Sequence, residues 1–311
     1  MQQKKITLAD VLSLISILIF SFVCFLSVYF LTLGDLTQSL IKTAIIAVLL
    51  GGTAFGAKML KRAIRNFMIC FVFEIIFLVL LTGLTVFFAN APFSHFFVVS
   101  EQRTEVKDKL TVSITQAENL FEQYEAYAKN RETLYNSKLK SVVAAKRTNP
   151  SEYATYGFVN NNISDSIQID NKMFTVHADL FPTNYEDMKK VSSNWTRKAK
   201  STLDNWWDWN FGIVNVVNNV ESRSNEWLNT LVELSTIREQ GEKAGDFAYS
   251  LSFDDVKQHF TTQDKPSLLS IGIAIGAYLL MLFTYLFAER STKSPIIRRG
   301  RVKKSVFDVD F

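Results

Sequence analysis

The chain has only two cysteines in 311 residues, Cys24 and Cys70, and both sit inside apolar runs. That excludes a disulfide framework for the long polar region between residues 92 and 266. Cysteines in such runs behave as small hydrophobes. Histidine is equally scarce. His95, His177 and His259 lie far apart, with no HxH or HxxxH spacing, so no metal site is expected. No Gly-rich phosphate loop, no paired-carboxylate constellation and no Ser/His/Asp set can be placed. The reading is therefore no catalytic residue, no cofactor and no enzyme.

An excess of one charge is missing too. The net charge is +4 and the sequence pI about 8.9, which invites a nucleic-acid reading. The distribution argues against it. Residues 92–266 hold 20 Lys/Arg against 24 Asp/Glu, and the basic excess lies beside apolar runs. The mean hydropathy of +0.09 averages two different materials.

What is present in abundance is long apolar sequence. Phe67–Ala89 is 23 residues with a single charge, Glu74. A run of that length reads as a membrane-spanning helix. Val11–Leu33, Leu40–Ala57 and Leu268–Phe287 read the same way. The first lacks the small-residue cleavage site of a signal peptide and reads as an uncleaved span. Two GxxxG pairs, Gly52 with Gly56 and Gly272 with Gly276, predict close helix packing in lipid.

Lysine and arginine near span ends mark the cytoplasmic side. Lys4 and Lys5 precede the first span. Lys58, Lys61, Arg62 and Arg65 follow the second. A basic tail containing Arg290, Lys293, Arg298, Arg299, Arg301, Lys303 and Lys304 follows the fourth. The turn after the first span has none. Four spans with both termini cytoplasmic satisfy this bias, as in a plasma or bacterial inner membrane. Four segments follow: a membrane domain at 1–91 with spans at 11–33, 40–57 and 67–89; an extracytoplasmic domain at 92–266; a fourth span at 267–288; and a tail at 289–311. Arg298, Arg299, Arg301, Lys303 and Lys304 are candidates for binding anionic lipid.

The extracytoplasmic region reads as mainly α. Val106, Leu110, Ile114, Ala117, Phe121, Tyr124 and Ala128 step by four or three, one buried helical stripe. Asn149-Pro150 is a helix stop. Ser166–Asp170 and Met173–Leu180 alternate like strands, predicting a β-hairpin tip. Thr183 and Glu186 have capping-box spacing and open a second long helix, about 186–240. That helix places Trp195, Trp206, Trp209 and Trp227 on its apolar side, with Trp207 about 100° away. Trp207 is thus the candidate partner-binding aromatic. The predicted architecture is a stalk of two long antiparallel amphipathic helices, coiled-coil in character, whose thin core partners or self-association complete. In outline it is similar to the extracytoplasmic helical domains of bacterial transmembrane receptors, on architecture and with no shared motif.

Glu74 is the one acid deep in a span, and charge in lipid is costly. It reads either as a proton or ion relay or as a structural hydrogen-bonding group. The function expected is a non-enzymatic subunit of a membrane complex, sensing or scaffolding through its helical domain. Its partners would be membrane lipids and other membrane or extracytoplasmic proteins, in a homo- or hetero-oligomer, without nucleic acid. The alternative is an oligomeric channel or transporter subunit with Glu74 lining the pathway.

Overall fold

A computed structural model describes residues 7–63 and 67–290. The chain divides into two compact units, one of residues up to 104 together with those from 258 on, the other of residues 105–257. No strand occurs among the described residues.

The first unit is built on α1 (Leu8–Leu31), α2 (Leu36–Lys61), α3 (Phe67–Phe88) and α11 (Leu268–Leu286). All four helices are long and apolar enough to cross a membrane. They begin and end within four residues of the predicted spans, the largest extension being at both ends of α2. The α1 start is set by Thr7 and Asp10, whose side chains bond each other's backbone N–H groups in a capping box. Gly34, at φ +93°, turns the chain, and the Asp35 carboxylate caps α2 by accepting from the Gln38 N–H at 2.9 Å. A π-helical turn, Ala89–Phe93, carries Pro92 and leads into α4 (Ser94–Glu101). Inside the bundle, Ile17, Phe20, Ile46, Leu50, Leu81 and Met281 form a common apolar cluster. Two hydroxyls cross it: Ser13 Oγ donates to the Met281 carbonyl at 2.7 Å and Ser16 Oγ to the Ala277 carbonyl at 2.9 Å. Hydroxyls of this kind join helices where no water competes.

The glycine pairs are used unequally. A Cβ on Gly56 would lie 2.6 Å from Phe77 Cε1 of α3, while Gly52, Gly272 and Gly276 have open space. Close approach within the chain therefore uses Gly56 alone of the four, because α11 meets its neighbours through Ala274, Ala277 and Met281 instead.

The second unit contains most of α5 (Arg103–Ala144), then α6 (Pro150–Thr155), α7 (Asp165–Leu180), α8 (Tyr185–Thr202) and α9 (Trp206–Thr236). All seven residues of the predicted α5 stripe are buried. Pairings Glu118–Lys200, Glu125–Lys189 and Glu132–His177 show α8 and α7 descending as α5 rises. On α9, Trp227 meets Phe121 and the Ser235 carbonyl meets Arg131, so α9 runs parallel to α5.

The predicted hairpin at 166–180 is instead the single helix α7. Ser164 accepts from the Ile167 N–H as its N-cap, and Ile169, Met173, Val176 and Leu180 pack on the core at steps of four, three and four. The apparent alternation came from apolar residues on both helix faces. The predicted second long helix is broken between Thr202 and Trp206, where Asp204 and Asn205 favour turns and caps over helix interiors. Its start is Tyr185, and the Thr183–Glu186 box does not form: Asn184 holds the N-cap position without a side-chain bond. The core that a two-helix stalk would leave thin is filled within the chain. Tyr153, Tyr156, Phe158, Val176, Leu180 and Phe247 all join it.

From Ile237 to Phe253 the chain runs down along α5 without helix, as a strap ending at α10 (Asp254–Thr261). An extended segment leaves its carbonyls without internal partners, and α5 supplies them. Tyr135, Tyr127 and Ser113 donate their hydroxyls to the carbonyls of Gln240, Gly245 and Ser252. The Arg131 guanidinium is the pin. It donates to the Ser235 carbonyl at 2.9 Å, to the Ile237 carbonyl, and to both carboxylate oxygens of Glu242 at 2.5 and 2.8 Å. Burial opposes the Arg131 charge, but the Glu242 hydrogen bonds and charge outweigh it and hold its pKa above the usual value. Removing one member of a buried, fully bonded pair costs roughly 3–5 kcal/mol. Arg131→Met should lose about that much stability in denaturant melts, and amide exchange over 237–253 should accelerate more than over α9. An unchanged strap would show that the hydroxyls alone hold it.

Candidate functional site

The sequence singled out Glu74, and the structure gives it neighbours from far along the chain. Its carboxylate is buried, 2% exposed. Oε1 accepts from the Tyr285 hydroxyl at 2.6 Å and from Arg290 Nη2 at 2.7 Å. Tyr285 belongs to the last turn of α11 and Arg290 follows that helix. The Arg290 guanidinium also stands over the Phe71 ring of α3 at 5.6 Å, a cation–π geometry. Glu74 Oε2 is buried without a hydrogen-bond partner among the described residues.

Lys61, in the last turn of α2, donates to the Tyr285 carbonyl at 2.9 Å and lies over its ring. Asp10, in the first turn of α1, pairs with Lys58 and accepts from the Thr284 hydroxyl. Two acids and three bases from four helix ends thus form one polar layer at a single end of the bundle. Lys58 and Lys61 also stand in the last turn of α2, where cations complement the helix dipole.

The other end of the bundle is aromatic. Phe30 stacks on Phe96 and meets Phe260, and His95 Nε2 bonds the Phe260 carbonyl at 2.9 Å. Asp10 and Phe30 are 20 residues apart on α1, about 30 Å along its axis, which matches the hydrocarbon thickness of a bilayer. Residues His95, Phe96 and Phe260 of the first unit lie at this aromatic end.

A second feature lies on α7. Its outer side and the segment before it expose Val159 (55%), Ile163 (46%), Ile167 (53%) and Phe174 (75%). Ile167 and Phe174 are seven residues apart and share one helix side. The α7 start is held by Asp165, whose pKa is lowered by hydrogen bonds from Lys146 and Tyr153. Reading this stretch as a hairpin hid the surface. The Ser164 cap followed by Asp165 was the signal that would have revealed it.

The remaining candidates divide. Gly56 packs on α3, while Gly52, Gly272 and Gly276 face open space. Trp207, with Trp206, stands at the start of α9, and its side chain lies outside the described residues. So do Arg298, Arg299, Arg301, Lys303 and Lys304. Trp209 and Trp227 are core residues, and Trp195 packs edge-on against Trp227. No group of His, Cys, Asp and Glu among the described residues has a metal-binding arrangement. No known protein family, curated protein or solved structure matches the chain.

The geometry fits a clamp. Arg290 is 35% exposed on its side chain, so solvent screens part of the attraction. A double-mutant cycle of Glu74→Gln and Arg290→Gln should give a coupling in the lower part of the usual range of about 0.5–3 kcal/mol, read from thermal melts in detergent. Zero coupling would remove the clamp.

Proposed function

We propose that the chain is a non-enzymatic, multi-pass membrane protein whose helical unit binds a partner protein outside the cytoplasm, as one subunit of a membrane complex. The observation that carries this reading is the apolar side of α7. Phe174 at 75% exposure, with Ile167, Ile163 and Val159, leaves water-facing apolar surface on a unit that already has a filled core. Large apolar side chains left exposed together on one helix side, as Ile167 and Phe174 are, fit a protein interaction site.

The placement outside the cytoplasm rests on charge. The polar layer holds Lys58, Lys61 and Arg290, with Arg62 beside it, and positive residues favour the cytoplasmic face. Residues His95, Phe96 and Phe260 belong to the aromatic end, which this orientation puts on the opposite face, and residues 105–257 lie between Phe96 and Phe260 in sequence. The engagement of Glu74 by Tyr285 and Arg290 favours a structural clamp over an ion path.

Full-length protein purified in mild detergent should carry a stoichiometric second protein. Phe174→Glu should abolish that co-purification, as loss of a central hot spot worth about 2 kcal/mol or more does. Its stability should stay within about 0.5 kcal/mol of the parent. Co-purification unaffected by both Phe174→Glu and Ile167→Glu would take the partner away from α7.

A further inference from the structure

His95 on α4 is a titratable side chain only 1% exposed. Its Nε2 lies 2.9 Å from the Phe260 carbonyl of α10, 165 residues away. A carbonyl can only accept, so Nε2 carries a hydrogen and donates it. Nδ1 is buried without a hydrogen-bond partner among the described residues. In the neutral ring that atom leaves only a lone pair unmatched. In the protonated ring it leaves a charged N–H unmatched, which costs more. We propose that His95 is an acid-sensitive latch for α10: neutral, it holds the last turn of that helix to the aromatic end of the bundle; protonated, it lets go.

The latch has a local cause. Phe260 stands in the last turn of α10, and the final carbonyls of a helix have no partner within it. The Phe260 side chain is 0% exposed and meets Phe30. Its carbonyl is drawn into the bundle with it and needs a donor there. His95 is that donor.

Charged groups stand on the elements around the ring. Glu101 and Arg103 lie at the end of α4 and the start of α5, Asp254, Asp255, Lys257 and His259 on α10, and Asp264 and Lys265 beyond it. The turn after α1 carries Asp35, engaged as the α2 cap; α11 has no charged residue. Asp264 attracts a charged ring, as does the Phe260 carbonyl, but burial opposes the charge more strongly than both. Released into water, the imidazole takes its proton at about pH 6.5. The contact is therefore fully present above that pH and weakens as pH falls below it, because the released form binds the extra proton. With the docked ring neutral, the released population rises about tenfold between about pH 7.5 and 5.5. Unperturbed carboxylates titrate below that window. His95 and Phe260 both belong to the first unit, so the latch does not depend on the topology proposed above.

The test is amide exchange of the full-length protein in mild detergent at about pH 7.5 and 5.5, corrected for the intrinsic pH dependence of exchange. Exchange over residues 254–261 should accelerate about tenfold relative to α5. His95→Gln keeps a side-chain N–H for the Phe260 carbonyl but does not titrate, and it should remove the acceleration. His259→Gln and His177→Gln should retain it. In the unaltered protein, the nitrogen shifts of isotope-labelled histidine should show one Nε2–H ring that is neutral at the higher pH and charges together with the loss of α10 protection. Acceleration that survives His95→Gln, or that disappears in His259→Gln, would overturn the inference. So would a His95 ring that charges while α10 stays protected, a reading on the unaltered protein that decides the matter should His95→Gln not fold.

Discussion

A charge inside an apolar bundle must find a partner, and this requirement organises the first unit. Asp10 and Glu74 each lie within a largely apolar helix, and each is answered by a base from outside that helix. Lone carboxylates at those positions would cost far more than the pairs do. The bases come from the end of α2 and from just beyond α11, so satisfying two acids aligns four helix ends. The Ser13 and Ser16 hydroxyls extend the same logic deeper, where α1 bonds the carbonyls of α11. Helix pairing through hydroxyls and ion pairs explains why three of the four GxxxG glycines are not needed inside the chain.

The helical unit solves a different problem. Its α5 helix presents one apolar stripe over more than six turns, and one opposing helix cannot cover it. The chain therefore passes along α5 three more times, as α7 with α8, as α9, and as the strap. The strap saves a helix but exposes carbonyls, and hydroxyls on α5 together with Arg131 answer them. Arg131 and Glu242 are 2% and 3% exposed on their side chains. A pair so buried contributes little net stability against an apolar alternative, but its loss is severe, so it fixes where the strap lies.

Much of this was legible from residue order. The apolar runs became the four long helices because twenty apolar residues have few other uses. The α5 stripe is strictly periodic, and every residue of it is buried. The tip was not legible, because Ile167, Ile169, Phe174 and Val176 put apolar residues on both sides of α7, and period two and period 3.6 then look alike. The break at Asp204-Asn205 was overlooked because the apolar phase continues from Ala199 to Ile213 across it. Glu74 was recognisable as unusual, yet its partner Arg290 lies 216 residues away, and no local pattern links them.

The topology we propose puts the polar layer on the cytoplasmic face and residues 105–257 outside the cytoplasm. The most direct measurement replaces Cys24 and Cys70 and introduces single cysteines at Ser137, Ser201 or Ser305. Each variant is treated in intact cells with a membrane-impermeant thiol reagent. Ser137 and Ser201 are exposed on the helical unit, and cysteines there should label in intact cells, while one at 305 should label only after lysis. Labelling at 305 in intact cells, with 137 and 201 protected until lysis, would contradict the claim and invert the protein in the membrane.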